Sequence, residues 1–393
     1  METSERQERI WRTLCRIVYP FLRRRFRLEA EPLPEKRPAI LVCNHVTDLD
    51  PVFLAMASPD HALTYVASEH ILRDRPFLRK QLYRFFSPIA RRKATSAVET
   101  CRETIRAVRA GKTVCIFAEG ETTWNGRTAP IQPGTGTLVK AAGVPLVTYC
   151  FHGAYFTAPR WGKGFRRGKI TGRVTGIWPA EELKSRTVQE INDLIREGIR
   201  EDAFEAQKQE RIPSRVSGNR MLAQIDTLLF LCPECFGIGT LRGRGDLLTC
   251  TCGLSMRVDR CMLPVGKAPF PDFAAWDDWQ IRKLGEMARK DRSFRLSDSR
   301  EDLVLTEIDP EGRVREIARG SLSMDRDVLR IGEITLPVAG IRDMATLQNR
   351  KLAVSTEDHY YELQAPEAMC LRKYLLFRHQ IGKDAEEPAE KET

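Results

Sequence analysis

Long hydrophobic runs are missing from this chain of 393 residues. No segment reaches the roughly 18–20 consecutive apolar residues that a membrane-spanning helix requires. The amino-terminal segment is charged throughout and lacks an apolar core, so we expect no secretory signal peptide. Internal repeats are also lacking, which argues against a repeat architecture. With 42% hydrophobic and 30% charged residues, the composition is that of a globular protein with room for two or three domains.

The first 30 residues contain a basic amphipathic segment. Its apolar residues recur at helical spacing and are Ile10, Trp11, Leu14, Ile17, Val18, Phe21 and Leu22. Its cations are Arg9, Arg12, Arg16, Arg23, Arg24, Arg25 and Arg27. We interpret residues 1–30 as an interfacial helix that lies among lipid headgroups, in preference to a helix packed on the protein's own core. Pro20 is expected to end or kink this helix.

A histidine and an aspartate follow the strand-like apolar residues 39–43. Residues 44–50 read Asn-His-Val-Thr-Asp-Leu-Asp, so Asp50 lies a little over one helical turn beyond His45 and can fold back onto it. A carboxylate in that place fixes the imidazole tautomer and stabilises the imidazolium, which makes His45 a general base for a hydroxyl nucleophile. An isolated histidine in a turn, followed by an N-cap aspartate, is the competing interpretation.

A second polar turn follows the strand-like residues 114–117. It contains Glu119, Gly120, two threonines and Arg127. Such a turn can line an anion pocket through backbone N–H groups and hydroxyls, although an ordinary glycine-rich turn is the alternative. Strand-like and helix-like segments alternate across residues 31–208. This alternation predicts an α/β domain with a mainly parallel or mixed sheet covered by helices.

These segments, in this order and spacing, resemble the lysophospholipid acyltransferase family, whose best-known members are 1-acylglycerol-3-phosphate acyltransferases. The family's first motif, Asn-His-x4-Asp, is matched at Asn44, His45 and Asp50. Its third motif, Phe-Pro-Glu-Gly-Thr-Arg-Ser, is matched at Phe117, Glu119 and Gly120. A Val-Pro-hydrophobic-Val strand matches residues 144–147, and a strand that ends in arginine matches residues 88–92. The resemblance covers residues 35–205.

The resemblance implies transfer of a fatty acyl chain from acyl-CoA or acyl carrier protein to a lysophospholipid hydroxyl, first of all that of 1-acylglycerol-3-phosphate. His45 would deprotonate the acceptor and Asp50 would orient and charge His45, without a catalytic cofactor. Backbone N–H groups of the Glu119–Gly120 turn would stabilise the oxyanion. The substrate-binding candidates are Asn44, Arg91, Arg92, Glu119, Gly120, Thr122 and Arg127.

The third motif departs from the family pattern. Ala118 replaces proline and Glu121 replaces threonine. Thr122 replaces the arginine that helps hold the substrate phosphate in the family. Either another cation takes over this role, or the acceptor is not a plain phosphomonoester. The candidates for the replacement are Arg91, Arg92 and Arg127.

The basic excess belongs to the first half of the chain. Residues 1–211 contain 36 Lys and Arg against 24 Asp and Glu, whereas the remainder contains 27 against 29. This excess suits an anionic phospholipid surface or an acidic acyl carrier protein. We therefore expect a peripheral protein on the cytoplasmic face of a membrane. A non-catalytic membrane- or protein-binding scaffold is the competing hypothesis, and the presence of both His45 and Asp50 argues against it.

Two cysteine pairs, Cys232 with Cys235 and Cys250 with Cys252, follow a polar linker at residues 209–227. This pattern indicates a zinc ribbon at residues 228–264, where four thiolates hold a structural zinc ion. Cys261 is a substitute ligand, and disulfides or free thiols are the alternatives. The ribbon contains four arginines against three acidic residues and few aromatics. This positive charge is too small to indicate binding to a nucleic-acid backbone.

Residues 265–382 are rich in strand-like segments and end in a helix-like segment at residues 366–379. We expect a small β-rich domain with a closing helix, similar in topology to a pleckstrin-homology domain. The charged residues 383–393 are expected to form a disordered tail.

Overall fold

The computed structural model describes residues 2–34, 37–74, 88–92, 94–214 and 220–390. The chain forms two compact units. The first unit contains Met1–Arg92, Ser96–Asn219 and Asp259–Leu263, and the second contains Lys93–Thr95, Arg220–Val258 and Pro264–Thr393. In the described part of the chain, no helix is long and apolar enough to cross a membrane.

The first unit is built on a seven-stranded sheet. Its strands are β1 (Leu28–Ala30), β2 (Ile40–Cys43), β3 (Thr64–Ser68), β4 (Ile89–Arg91), β5 (Val114–Phe117), β6 (Leu146–His152) and β7 (Ile170–Trp178). They lie in the order β1-β7-β6-β2-β5-β3-β4. Strands β2 to β6 are parallel, whereas β7 runs antiparallel to β6 and pairs in parallel with β1. The predicted mixed sheet is confirmed.

Helices cover this sheet, as the alternating sequence pattern predicts. They are α1 (Glu2–Phe26), α2 (Asp50–Met56), α3 (Glu69–Asp74), α4 (Val98–Arg109), α5 (Thr135–Ala142), α6 (Ala180–Ser185), α7 (Val188–Gly198) and α8 (Ala203–Glu210). The central strands β2 and β5 are unbroken apolar runs, because a parallel strand is buried on both of its faces. Their side chains form one core with the inner faces of α5 and α7.

The amino-terminal helix α1 has two apolar faces. One face is buried: the Trp11 indole N–H donates to the Ser58 carbonyl over 3.0 Å, and the Phe26 ring lies 5.2 Å from that of Phe53. The other face is exposed, with 70% of Ile17 and 65% of Phe21 open to solvent. The helix therefore packs on its own unit and still presents apolar side chains outward. Pro20 does not end it, since α1 continues to Phe26.

The second unit contains two antiparallel sheets. The small sheet has the order β11-β10-β9-β8, from β8 (Leu241–Arg244), β9 (Leu247–Cys250), β10 (Ser255–Val258) and β11 (Pro264–Val265). The large sheet is formed by β12 (Leu296–Ile308), β13 (Val314–Met324), β14 (Val328–Ile331), β15 (Ile334–Pro337), β16 (Asp343–Leu347), β17 (Lys351–Ser355) and β18 (Tyr360–Gln364). Its order is β15-β14-β13-β12-β18-β17-β16. The unit also contains two short 3-10 helices, Ile225–Thr227 and Val338–Gly340.

Two long helices belong to the second unit: α9 (Phe273–Lys290) and α10 (Arg372–Glu390). The β-rich content and the closing helix are confirmed, whereas α9 is not anticipated by the sequence analysis. Helix α10 continues to Glu390 where a disordered tail is expected from residue 383. The reason is that residues 383–387 are Lys, Asp, Ala and Glu, most of which favour helix. Residues 391–393 lie outside the described residues.

The predicted ribbon and β-rich domain do not separate as the sequence analysis divides them. Phe230 and Leu231, next to the first cysteine pair, lie in the same core as the large sheet. Asp259–Leu263, assigned to the ribbon from the sequence, belongs to the first unit. There the Gln207 side-chain amide donates to the Cys261 carbonyl over 2.8 Å. The boundary after Asn219 falls inside the predicted linker.

Candidate active site

The first and third motifs meet at one edge of the mixed sheet. Strands β2 and β5 are parallel neighbours, and their last residues, Cys43 and Phe117, face each other in register. The carboxyl ends of parallel strands share one edge of a sheet, where α/β proteins bind ligands. His45 follows β2 and Glu119 follows β5, and the two are in direct contact.

His45 and Asp50 form the hydrogen bond that their spacing predicts. The ring Nδ1 lies 3.0 Å from Asp50 Oδ2. The same carboxylate accepts the backbone N–H groups of Val46, at 2.5 Å, and Thr47, at 2.9 Å, and the Thr47 hydroxyl donates to Oδ1 over 3.0 Å. Because Asp50 acts as an acceptor towards all these donors, Nδ1 of His45 carries a proton and Nε2 is the basic nitrogen.

Burial distinguishes the two members of this pair. Asp50 is fully buried at the first turn of α2, whereas 19% of the His45 side chain is exposed. The His45 ring also stacks on Phe117, with centroids 4.2 Å apart and planes 23° apart. Tyr65 stacks on Phe117 at 6.5 Å. The ring of His45 is thus fixed on one edge by Asp50 and on one face by Phe117, and it can still reach a substrate.

The Glu119 carboxyl, a substrate-binding candidate from the sequence, contacts two backbone N–H groups in the structure. One carboxylate oxygen accepts the His45 N–H and the other accepts the Ala129 N–H, each over 2.6 Å. The side chain is buried. Burial raises the pKa of Glu119 to about 8, while the two backbone N–H groups act in the opposite direction. The carboxyl therefore holds the His45 turn against the chain that follows β5.

Asn44 also has a structural contact where the sequence analysis expects a substrate contact. Its side-chain amide donates to the Phe151 carbonyl and accepts the Phe151 N–H, both over 2.8 Å. The residue is buried. These two bonds fasten the end of β2 to β6 and keep the catalytic candidate His45 in place.

The Gly120 N–H, an oxyanion donor expected from the sequence, is engaged within its own turn in this structure. It donates to the Phe117 carbonyl over 3.0 Å. Gly120 has a φ of +77°, a left-handed conformation that glycine adopts without strain. The glycine is therefore required by the turn itself. The turn is further tied to the first motif, since the Thr123 N–H donates to the His45 carbonyl over 2.8 Å.

The three arginine candidates for the phosphate have partners outside the third motif. Arg127 Nε lies 2.7 Å from Asp202, and Arg92 Nε lies 3.2 Å from Glu69. Arg91 donates to the carbonyl oxygens of Arg92 and Ser96. The structure therefore shows contacts of Arg127 and Arg92 with carboxylates, where the sequence analysis expects a substrate phosphate.

Arg160 is a cation that contacts the third motif. Its Nη1 donates to the Glu121 carboxylate over 2.7 Å and to the Thr122 carbonyl over 3.0 Å. Its guanidinium carbon lies 4.2 Å from the ring centroid of Trp124. Arg160 is not among the site residues predicted from the sequence. Glu121 is the sequence feature that could have indicated this contact, because a carboxylate in place of threonine favours a nearby cation. Thr122, a further binding candidate, is buried.

The four predicted zinc ligands also come together. The Sγ atoms of Cys232, Cys235, Cys250 and Cys252 all lie within 4.8 Å of one another. Cys261, the substitute ligand, belongs to the first unit, where its thiol contacts the Arg211 carbonyl.

Comparison with known proteins agrees with the geometry. Residues 25–152 match the family model described as Acyltransferase. This segment is therefore similar to the acyltransferase family. The match contains His45, Asp50, Glu119 and the strands that position them, so the resemblance drawn from the sequence motifs is confirmed.

The chain is also similar to a worm protein and to a solved structure. The chain is 25% identical over 182 residues to the Caenorhabditis elegans protein named "Putative 1-acyl-sn-glycerol-3-phosphate acyltransferase acl-2". That match covers 44% of this chain and 62% of the relative, which is less than two thirds of the relative's length. The crystal structure of the 1-acyl-sn-glycerophosphate (LPA) acyltransferase PlsC from Thermotoga maritima is 20% identical, with a TM-score of 0.40, over 49% of this chain and 77% of that chain.

Proposed function

We propose that this protein transfers a fatty acyl chain from an acyl thioester to the hydroxyl of a lysophospholipid, and that 1-acylglycerol-3-phosphate is the first acceptor to test. The observation that carries the proposal is the His45–Asp50 hydrogen bond of 3.0 Å within a segment similar to the acyltransferase family. The similarity to a worm protein named as a putative 1-acyl-sn-glycerol-3-phosphate acyltransferase supports the choice of acceptor. The donor is acyl-CoA or acyl carrier protein.

The chemistry follows from the basic Nε2 of His45. It removes the proton of the acceptor hydroxyl as the oxygen attacks the thioester carbonyl carbon. The tetrahedral intermediate then collapses, the carbon–sulfur bond breaks, and the imidazolium returns the proton to the departing thiolate. Asp50 stabilises the imidazolium between these two transfers. The products are a phospholipid ester and a free thiol, and no acyl-enzyme is formed.

The acceptor's anionic headgroup requires a cation near the third motif. Arg160 suits this role because it contacts both Glu121 and Thr122, two of the three residues that depart from the family pattern. Arg91 remains the second candidate. An acceptor phosphate would compete with Glu121 for the Arg160 guanidinium, which suits planar two-point recognition of phosphate oxygens.

The proposed enzyme works as a peripheral protein on the cytoplasmic face of a membrane. The exposed side chains Ile17 and Phe21 of α1 support this placement, and so does Phe165, whose ring lies 6.1 Å from that of Phe26 and is half exposed. The basic excess of the first half favours anionic lipid or an acidic acyl carrier. The acceptor and product are lipids, so a site that stays at the lipid surface avoids extracting them into water.

A scaffold without catalysis is the second hypothesis. It does not account for a buried carboxylate, Asp50, that is directed at a partly exposed histidine, nor for the acyltransferase-family match.

The proposal is tested by incubating the purified full-length protein with acyl-CoA or acyl carrier protein and with each of several lysophospholipids. Products are identified by mass spectrometry. We expect a diacyl product from 1-acylglycerol-3-phosphate with at least one donor, and less product from lysophosphatidylcholine, whose phosphate is a diester. Absence of ester product with every acceptor and both donors, from protein that binds vesicles, would favour the scaffold.

A further inference from the structure

Four sulfur atoms gather at one end of the small sheet in the second unit. They come from two turns, Cys232–Cys235 and Cys250–Cys252, which are distant in sequence and adjacent in space. The Cys232 and Cys252 sulfurs are 3.7 Å apart, and those of Cys235 and Cys250 are 3.8 Å apart. All four lie within 4.8 Å of one another.

These distances match a tetrahedral metal site. Four sulfurs bound at about 2.3 Å to a central ion lie about 3.8 Å from one another. A disulfide requires a sulfur–sulfur distance of about 2.0 Å, so neither pair has disulfide geometry. The thiol is also a weak hydrogen-bond donor and acceptor, so contacts among the four thiols give little reason for them to cluster.

The surrounding backbone has the form of a metal-binding turn. The Gly237 N–H points at the Cys235 sulfur over 3.4 Å, and the Thr240 hydroxyl lies 3.1 Å from the Cys250 sulfur. Both groups can donate to a thiolate, as partners of metal ligands commonly do. Phe236, with a φ of +56°, is held in the left-handed region, which is strained for a residue other than glycine. A bound ion would offset this strain.

We propose that Cys232, Cys235, Cys250 and Cys252 bind one zinc ion and that this ion is a structural part of the second unit. Four thiolates and no open position fit a closed structural zinc site rather than a catalytic one. The inference goes beyond acyl transfer, because it concerns residues that have no role in that reaction.

The metal site is continuous with the core of the second unit. Leu231, directly before the first ligand, lies in that core, and its carbonyl accepts the Trp276 indole N–H over 3.0 Å. The Gln280 side chain accepts the Phe230 N–H over 2.9 Å. Trp276 and Gln280 belong to α9, whose Leu284 lies in the same core. Zinc therefore fixes the turn from which Phe230 and Leu231 enter the core. Loss of zinc is expected to destabilise this core as well as the ribbon.

The first test is the metal content of the full-length protein. We expect about one zinc ion per chain by elemental analysis. Cys235→Ser and Cys252→Ser, at the two exposed ligands, should lose it. The matched controls Cys101→Ser and Cys261→Ser, at cysteines outside the cluster, should retain it. Cobalt replacement should give the visible absorption bands of a tetrahedral thiolate site. Bound iron in place of zinc, or metal-free protein that is folded and exposes four titratable thiols, would overturn the proposal.

The second test is hydrogen exchange of the whole chain before and after zinc removal. We expect protection of the Leu296–Ile308 strand to fall by about tenfold or more, because metal binding energy contributes to folding. The Val114–Phe117 strand of the first unit should keep its protection. Unchanged exchange at Leu296–Ile308 in zinc-free protein would contradict the structural role. Neither readout depends on acyl transfer, so this inference and the proposed function can fail separately.

Discussion

At the scale of single residues, the candidate site uses two buried carboxylates in different ways. Asp50 contacts the imidazole of His45, whereas Glu119 contacts the backbone N–H of the same residue. The sequence could predict the first contact, because only five positions separate the two residues. It could not predict the second, because Glu119 is 74 positions from His45 and the contact exists only once β2 and β5 pair.

The buried Glu119 predicts a pH-dependent stability. Its folded pKa, about 8, is above the ordinary value of 4.5, so the folded state holds the proton more tightly than the unfolded state. Its contribution to stability is therefore complete below about pH 4.5 and is lost as the pH rises through about 8. In urea unfolding, the free energy of unfolding of wild type minus that of Glu119→Gln should decrease from pH 5 to pH 8, because the carboxyl titrates in this range and the amide does not. A difference that stays constant or grows over that range contradicts this prediction.

At the scale of elements, α1 shows why an apolar stripe alone does not decide what it contacts. Its apolar set is wide enough to form two faces, and the structure buries Trp11 while it exposes Ile17 and Phe21. The sequence predicts the helix and a lipid-facing stripe but not this division. Helix α9 is not predicted, although Asp272 caps it by accepting the Ala275 N–H over 2.7 Å. An aspartate in that place is a helix-start signal that the sequence already offers.

The two faces of α1 predict different outcomes for substitution. Replacing both Ile17 and Phe21 with serine should weaken binding to anionic vesicles by about tenfold or more, because apolar area is removed from the lipid contact. Stability should change little, since both side chains are exposed. The matched control is Val314→Ser, an exposed apolar residue of the second unit, which should bind as wild type does. Co-sedimentation equal for all three proteins would mean that this face does not meet lipid.

At the scale of the whole molecule, the chain does not divide into consecutive blocks. Asp259–Leu263 joins the first unit, and the ribbon shares a core with the large sheet. Sequence patterns assign each segment by its own composition and therefore cannot predict such interleaving. What they do predict is chemistry carried by short spacing: the His45–Asp50 pair and the four clustered cysteines.

A buried ion pair within the second unit predicts where stability is concentrated. Arg372 binds the Asp277 carboxylate through two hydrogen bonds, of 2.7 and 3.0 Å, and Asp277 is fully buried. Asp277→Ala leaves the guanidinium without this partner and should cost about 3–5 kcal/mol of unfolding free energy. The control is Asp246→Ala, which breaks the exposed pair with Arg257 and should cost at most about 1 kcal/mol. Calorimetry that shows equal effects for the two variants would contradict this assignment.

The measurement that tests the account most directly is the turnover number of His45→Ala in the acyl-transfer assay. We expect His45→Ala and Asp50→Asn each to lose about two to four orders of magnitude, as removal of a general base or of its orienting carboxylate does. His359→Ala is the matched control, because its Nδ1 also contacts a carboxylate, Glu307, over 2.6 Å, but in the second unit. It should retain wild-type turnover. Turnover of folded His45→Ala within a few-fold of wild type would contradict the assignment of His45 as the catalytic base.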